Sequence, residues 1–209
     1  YLSAMVHPTD NSTSRPVAIV TGAGRGVGAA VALALGKAGY AVCTADLNPD
    51  RAFHTARQIT DAGGEAFGWQ TDVSNKFQAA SMIETTRDRY GRLDVLAHFA
   101  HVHPNVPALK MDEWNWRRVV EVNLTGTFIC VQLAARVMAD EGGGRIALMG
   151  LSPDLTWTGE AAYAASLSAL PGLMAAFQNE LSGSGVRLTL IPLGDPEEAA
   201  EHVVGFCAR

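Results

Sequence analysis

The sequence predicts an α/β fold in which a doubly wound parallel sheet lies between two layers of helices, a three-layer arrangement. The first observation behind it is that short apolar runs alternate along the chain with segments of helical periodicity. Such alternation favours parallel strands joined by right-handed crossovers. The second is a glycine-rich turn that directly follows the first apolar run, 17–20. Without an internal repeat, residues 16–209 are predicted to form one domain after a flexible N-terminal arm, 1–15.

Six strands are predicted from short, mostly apolar runs of the kind that a sheet buries on both faces. They cover 17–20, 41–45, 65–70, 93–97, 145–149 and 187–191. The helical patterns between them cover 28–39, 51–62, 111–139 and 160–181, and a further helix opens near 72–74. Glycines follow the first two helices, as is common at helix ends. Ser74 is the predicted N-cap of the third helix, and Asp195 that of the last, with Pro196 in its first position.

Composition excludes several classes of function. A formal charge of −5 argues against nucleic acid and anionic membrane surfaces as partners. No apolar run is expected to approach the roughly 20 residues of a membrane span, and the start of the chain lacks the apolar core of a signal peptide. The three cysteines are far apart and form no CxxC pair, so they are interpreted as thiols in a reducing, cytoplasmic compartment.

The glycine-rich turn has the context of a dinucleotide site, because it lies between a predicted strand and a helix. Glycine allows the backbone to approach a pyrophosphate, and the N-terminus of the helix offers unpaired N–H groups to the phosphates. The candidate cofactor-binding residues in and near this turn and at the ends of the next two strands are Gly22, Gly24, Arg25, Gly26, Val27, Gly28, Asp46, Leu47, Asp72 and Val73. The alternative is a glycine turn that binds no ligand.

Asp46 suggests which dinucleotide is preferred. It ends the second predicted strand, where a carboxylate can accept hydrogen bonds from the adenosine ribose and repel a phosphate on it. NAD is therefore expected in preference to NADP, although Arg25 favours the phosphate. Asp46 as a solvated turn residue is the alternative. Asp72 is expected either to meet the adenine edge or to cap a helix.

In this order and spacing, the motifs of residues 16–191 resemble those of the short-chain dehydrogenase/reductase family, which has a Rossmann-like fold. The supporting segments are TGAGRGVG at 21–28, Asp46, Asp72-Val73, LDVL at 93–96, VNLTGT at 122–127 and Tyr163. The resemblance implies an oxidoreductase that binds a dinucleotide and a small carbonyl or alcohol, and it adds Ala100 and Tyr163 to the candidate cofactor-binding residues. It also implies a tyrosine as proton donor, a lysine one helical turn later, a serine before the tyrosine, and an asparagine on the preceding long helix.

This chain keeps only part of that catalytic set. Tyr163 matches the tyrosine and Asn123 the asparagine, whereas Leu167 stands at the lysine position and Gly150 at the serine position. Ser152 can replace the serine only if its loop shifts. Because free tyrosine has a pKa of about 10, Tyr163 without a cation is expected to stay protonated at neutral pH. The loss of acid–base assistance predicts weak or absent turnover.

Three histidines, His98, His101 and His103, are predicted on a loop that borders the nicotinamide pocket, where the family has an NNAG turn. One hypothesis makes His98 or His101 a replacement acid, since imidazole titrates near neutral pH. A metal site is a second hypothesis, but the spacing HxxHxH fits known ligand geometries poorly. No metal is therefore predicted. The third interpretation gives these histidines no chemical role.

The resemblance also implies a substrate lid and a seventh strand, neither of which the sequence after residue 191 contains. The run 192–194 leads directly into the predicted last helix. Either the protein lacks both features, or they belong to residues outside this sequence, and the sequence leaves both alternatives open. The surfaces of the long helices, 111–139 and 160–181, remain for a two-fold homodimer.

The leading interpretation is a divergent member of the family that binds NAD, with weak or absent turnover. One alternative is an active NAD(P)-dependent carbonyl or alcohol oxidoreductase that uses Tyr163 with a substitute partner such as His98 or Ser152. The other is a non-catalytic dimerising or sensor module whose cofactor site is empty.

Overall fold

The computed structural model describes residues 14–151, 160–192 and 194–208, and these form a three-layer α/β domain. Most of the predicted arm therefore lies outside the described residues. The strands are β1 Val17–Thr21, β2 Ala41–Asp46, β3 Glu65–Gln70, β4 Val95–His98, β5 Gly144–Gly150 and β6 Val186–Pro192. The helices are α1 Gly26–Lys37, α2 Pro49–Asp61, α3 Lys76–Tyr90, α4 Glu113–Val120, α5 Gly126–Asp140, α6 Ala161–Ser168, α7 Leu170–Glu180 and α8 Pro196–Cys207.

All six strands are parallel, in the order β3-β2-β1-β4-β5-β6, which confirms the predicted doubly wound sheet. The strand order reverses between β1 and β4. Thr21, at the carboxyl end of β1, pairs with Ala45 of β2 and with His98 of β4. In open sheets of this kind, ligands bind outside the carboxyl ends of the strands at such a switch point.

The sheet is covered on both faces, and β1 is completely buried. One core cluster contains apolar side chains of α1, α6 and α8, and the other contains those of α3 and α5. Burial on both faces explains why the predicted strands are continuous apolar runs rather than alternating ones. Tyr163 and Leu167 of α6 belong to the first cluster, so the helix that carries Tyr163 is also a core element.

Two predicted helices differ from their sequence patterns. The segment 160–181 is divided at Ala169 into α6 and α7, because Pro171 lies in the first turn of α7 and supplies no backbone N–H. Between α4 and α5, a π-helical segment, Glu121–Thr125, continues the helix with one widened turn. Such turns are frequent at functional sites, and this one contains Asn123.

The N-cap of α3 is Asn75 and not the predicted Ser74. The side chain of Asn75 accepts hydrogen bonds from the backbone N–H groups of Phe77 and Gln78 at 3.0 and 3.2 Å. The Ser74 hydroxyl donates instead to Asp72 Oδ1 at 2.6 Å. Asp195 is confirmed as the N-cap of α8, since its carboxylate accepts from the first-turn N–H groups.

Residues 193–195 are the whole connection between β6 and α8, which leaves no length for a helical lid at this point. The described residues contain six strands, with β6 at one edge of the sheet. α8 packs against α1, and its buried residues complete the core on that face.

The helical segment Glu113–Asp140 is long and apolar enough to be a candidate membrane span, with 28 residues and a mean hydropathy of 1.3 in its best window. The expectation that no apolar run approaches this length is corrected, because the π-helical segment joins α4 and α5. Half of the window is buried inside the domain, and α5 packs against α3 and the sheet. A core helix meets the same criteria, so this is weak evidence for a membrane.

Candidate active site

Three of the four glycines in the turn between β1 and α1, namely Gly22, Gly24 and Gly28, are packed too closely for an added Cβ atom, whereas Gly26 faces open space. A Cβ atom on Gly28 would overlap the carbonyl oxygen of Gly22. Gly22 has a φ of 67° and lies against the backbone after β4, where a Cβ would come within 2.7 Å of Phe99 and Ala100. The turn therefore presents bare backbone at the N-terminus of α1, the arrangement in which helices bind phosphate groups.

A cavity of about 430 Å³ opens beside this turn, at the carboxyl ends of β1, β2 and β3. Seven predicted cofactor-binding residues line it: Gly22, Arg25, Asp46, Leu47, Asp72, Val73 and Ala100. Gly24, Gly26, Val27 and Gly28 shape the turn and the start of α1 without being part of the cavity wall. Tyr163 is not part of this wall either. The size is typical of a pocket for a small molecule or cofactor.

Asp46 connects the glycine turn to the end of β2. Its Oδ2 accepts a hydrogen bond from the Gly24 backbone N–H, and its Oδ1 accepts one from the Asn48 N–H, each at 2.9 Å. The carboxylate is thus held in place by two backbone groups, which makes it more than a solvated turn residue. Each carboxylate oxygen can accept further bonds, so Asp46 can also receive a ligand hydroxyl at the cavity wall.

The carboxylate of Asp72 closes the turn before α3, and Asp72 also lines the cavity. Its Oδ1 accepts from the Ser74 backbone N–H at 3.0 Å and from the Ser74 hydroxyl. The Asp72 backbone N–H donates to Gln78 Oε1 at 2.8 Å. Asp72 therefore does not cap α3, because Asn75 does, and its contact with the adenine edge stays a prediction.

Three arginines line the cavity, and the sequence singled out only Arg25. Arg51, in the first turn of α2, and Arg118, from α4, are the other two. Together they place three cations around a cavity with two carboxylates, Asp46 and Asp72, which suits a ligand that carries phosphate groups. Arg51 could have been identified from the sequence, because it lies just after Asp46. The place of Arg118 at the cavity, by contrast, depends on how α4 packs.

Tyr163 lies on α6 behind the loop that follows β4, and it is 5% exposed. The imidazole of His103 is stacked on its ring, with centroids 4.0 Å apart and planes 14° apart. The His101 ring is also near, at 5.9 Å. Burial, followed by the charge of Glu160, raises the pKa of Tyr163 to about 12. The phenol is therefore protonated at neutral pH, in agreement with the expectation from sequence.

Asn123 ties the loop after β4 to α6. Its Oδ1 accepts from the Val102 backbone N–H at 2.9 Å, and its Nδ2 donates to the Val102 carbonyl and to Ser166 Oγ, each at 3.1 Å. The Ser166 hydroxyl donates to the Tyr163 carbonyl at 2.8 Å. Asn123 thus positions the backbone around Tyr163, and Ser166, which the sequence did not single out, belongs to the same network.

Comparison with known proteins decides the family. The family model for short chain dehydrogenases matches residues 16–198. The chain belongs to the short-chain dehydrogenase/reductase family. A Synechocystis 3-oxoacyl-acyl-carrier-protein reductase is 32% identical over 180 residues, 85% of this chain and 73% of that protein. A cis-4-hydroxycyclohexanecarboxylate dehydrogenase from Sinomonas cyclohexanicum is 34% identical over 182 residues, 85% of this chain and 72% of that protein.

Solved structures agree with this assignment. A metagenomic short-chain oxidoreductase, crystallised in complex with NADP, superposes with a TM-score of 0.86 at 31% sequence identity and covers 93% of this chain and 90% of its own. A 3-ketoacyl-ACP reductase from Sinorhizobium meliloti 1021 gives a TM-score of 0.85 at 25% identity, with 92% and 91% covered. The chain is therefore a member of an oxidoreductase family whose fold it shares from the sheet to the glycine turn.

Two residues depart from the family pattern of the catalytic site. Leu167, where the family has lysine, is fully buried in the same core cluster as Tyr163. Gly150, where the family has serine, is the last residue of β5 and pairs with Pro192. Neither residue supplies a charge or a hydroxyl. The proposed stand-in, Ser152, lies outside the described residues.

The hypothesis that His98 is a replacement acid is wrong. His98 is not on a loop but is the last residue of β4, and its fully buried ring lies with Nδ1 2.9 Å from the Thr21 hydroxyl oxygen. Burial, followed by the charge of His101, lowers the pKa of His98 to about 4. It is therefore neutral at physiological pH and inaccessible to substrate.

The three histidines do not converge on one point. His98 faces the sheet core, whereas His101 and His103 face Tyr163. Within the described ranges, no three histidine, cysteine, aspartate or glutamate side chains come close enough together to hold a metal ion.

Proposed function

We propose that this member of the family binds NAD in preference to NADP and converts a small carbonyl or alcohol slowly. The observation that carries the proposal is the bare glycine turn fastened to Asp46 beside the cavity. When bound, a nicotinamide dinucleotide supplies or accepts a hydride. The relatives named as a reductase and a dehydrogenase act in the same class of chemistry.

The turn, the cavity and three arginines are the residues that would hold the cofactor. Gly22 and Arg25 border the place of the phosphates at the N-terminus of α1. Asp46, whose position is held by two backbone N–H groups, can accept ribose hydroxyls and repel a phosphate attached to one of them. Arg25 and Arg51 oppose that preference. We give Asp46 the greater weight, because a carboxylate bonded to ribose leaves no room for the phosphate.

Slow turnover follows from the surroundings of Tyr163. When its proton passes to a substrate oxygen, a phenolate remains, and the raised pKa of Tyr163 makes that phenolate costly. Leu167 contributes no positive charge, and Gly150 contributes no hydroxyl to the substrate oxygen. Acid–base assistance and hydrogen bonding to a developing charge are each worth about 10²-fold or more in rate.

Titration calorimetry with NAD and with NADP tests the proposal directly. In the Asp46→Ser variant, the ratio of the NADP dissociation constant to that of NAD is expected to fall at least about tenfold, equivalent to about 1.4 kcal/mol. Asp50→Ser is the matched control, because Asp50 is an exposed carboxylate of α2 outside the cavity wall. Binding of neither dinucleotide by the native protein would refute the proposal. An equal change in both variants would mean that only net charge matters.

We also propose a two-fold homodimer through α5 and α7. Phe128 of α5 is 40% exposed and contacts Phe177 of α7, with ring centroids 5.9 Å apart. Such an exposed aromatic pair favours a protein partner. Phe128→Glu is expected to shift the dimer to monomer in light scattering. Phe77→Glu, on α3 and 86% exposed, is the control. A monomeric native protein contradicts this dimer.

For the cellular location we propose the cytoplasm. Cys43, Cys130 and Cys207 are free thiols, and the first two are fully buried. Unpaired cysteines are usual in a reducing compartment.

A further inference from the structure

The loop after β4 places a histidine on the catalytic tyrosine. The His103 ring is nearly parallel to that of Tyr163 at 4.0 Å, and its Nε2 is 3.5 Å from Glu160 Oε1. The His103 side chain is 32% exposed, so its imidazole can exchange protons with water, whereas that of Glu160 is 14% exposed. A carboxylate at this distance can form an ion pair with an imidazolium.

A positive charge beside Tyr163 would stabilise its phenolate, which the surroundings of this tyrosine otherwise disfavour. Tyr163 is nearly buried, and the carboxylate of Glu160 adds to burial in making its phenolate unfavourable. Leu167, one turn further along α6, is apolar. Among the described side chains in ring contact with Tyr163, only His101 and His103 can carry a positive charge. His101 is the poorer candidate, because its ring centroid is 5.9 Å from that of Tyr163, compared with 4.0 Å for His103.

We propose that His103, paired with Glu160, is the cation that stabilises the phenolate of Tyr163 during turnover. The inference rests on the proposed function, since it concerns the residual reaction at the same site. In the reductive direction, the carbonyl carbon receives the hydride, and the carbonyl oxygen receives the proton of Tyr163 as its O–H bond breaks. The resulting phenolate is stabilised by the imidazolium against its ring, then regains a proton from water.

The charged and titratable groups around His103 act in different directions. Glu160, at the start of α6, favours the imidazolium. His101, on the same loop, disfavours it when protonated, and Arg25, which faces His101 from the start of α1, adds to the positive potential there. The direct pair with Glu160 is the nearest of these contacts. The imidazole brings a positive charge to the ring of Tyr163 only in its protonated form, so the proposal requires that form during turnover.

The ionisation equilibrium of Tyr163 can be measured without any cofactor. This measurement tests whether a charge at position 103 stabilises the phenolate. The ionisation of Tyr163 can be followed by tyrosinate absorbance after a rapid pH jump, with Tyr163→Phe to assign its contribution. In His103→Arg, whose guanidinium stays charged where Tyr163 ionises, Tyr163 is expected to ionise about one pH unit lower than in His103→Gln. His202→Arg, on the exposed side of α8, is the matched control and is expected to leave Tyr163 unchanged. The same ionisation in His103→Arg and His103→Gln overturns the proposal.

The pH profile of turnover supplies the second test. Reduction by the native protein is expected to be slower at alkaline than at mildly acidic pH, because only a protonated imidazole carries a positive charge. His103→Gln is expected to lower kcat at least about tenfold at mildly acidic pH with an unchanged dissociation constant for NAD. His103→Phe keeps a stacked ring without a charge and should show the same loss, whereas His103→Lys should retain activity to higher pH.

The outcomes separate this inference from the proposed function. If NAD binds and no carbonyl of a broad panel is reduced at any pH, the role of His103 is refuted while the binding proposal stands. Turnover by His103→Gln equal to that of the native protein also refutes it. If no dinucleotide binds, the proposed function fails, and the equilibrium ionisation still shows whether a charge at position 103 reaches Tyr163.

Discussion

Replacing Gly28 with alanine is expected to abolish measurable NAD binding and to lower the free energy of unfolding by about 1–3 kcal/mol. The added methyl group would overlap the Gly22 carbonyl oxygen, and backbone cannot move aside as the end of a flexible side chain can. The start of α1 must therefore shift away from the turn. The N–H groups that face the phosphates move with it.

Gly205→Ala is the control for Gly28→Ala. Gly205 lies in α8, and a Cβ there would meet no atom within 4 Å. Because glycine is unfavourable inside a helix, this change is expected to raise the free energy of unfolding by about 0.5–1 kcal/mol with no effect on NAD binding. Denaturant unfolding and calorimetry measure both effects. Native NAD affinity in Gly28→Ala would show that the turn is not the cofactor site.

Restoring the family residues in a Leu167→Lys, Gly150→Ser double variant is expected to raise kcat about 100-fold. The side chain of lysine is two atoms longer than that of leucine. Its ammonium would lie about one helical turn from Tyr163. The same change is expected to lower the free energy of unfolding by about 3 kcal/mol, since Leu167 is fully buried and a charge there has no fixed partner. At Gly150, a Cβ would lie 3.2 Å from the Ile191 carbonyl oxygen, so the neighbouring strand must yield slightly.

Leu167→Met is the matched control for the double variant. It changes the shape of the side chain with little change in volume and is expected to cost less than about 1.5 kcal/mol without any gain in turnover. Steady-state rates on a carbonyl panel, together with thermal unfolding, distinguish the variants. If the double variant folds and binds NAD but its kcat equals that of the native protein, then Leu167 and Gly150 do not explain slow turnover.

The phosphate side of the site could be predicted from sequence because its determinants are local. Glycines that the turn requires, the strand before them and the helix after them are adjacent in the chain, and Asp46 ends the very next strand. Each is recognisable without knowledge of distant contacts. The structure added Arg51 and Arg118 to the same cavity, and Arg118 comes from a helix more than ninety positions after Arg25.

The substrate side could not be predicted to the same extent. His98 and His103 are five residues apart and look equivalent in sequence, yet one is inside the sheet and the other is stacked on Tyr163. The difference arises because β4 ends at His98, between β1 and β5, whereas the chain after β4 leaves the sheet and contacts α6. Ser74 and Asn75 pose the same difficulty on a smaller scale, since either residue type can cap a helix.

The sequence by itself determined the fold class, the order of the strands along the chain, the glycine turn and the loss of lysine and serine at Leu167 and Gly150. These depend on periodicity and residue type over short stretches. Only the tertiary structure decided that His98 is buried and neutral, that Asn123 holds the loop to α6, and that His103 and Glu160 meet at Tyr163. Such contacts join residues far apart in the chain, and the packing of whole elements brings them together.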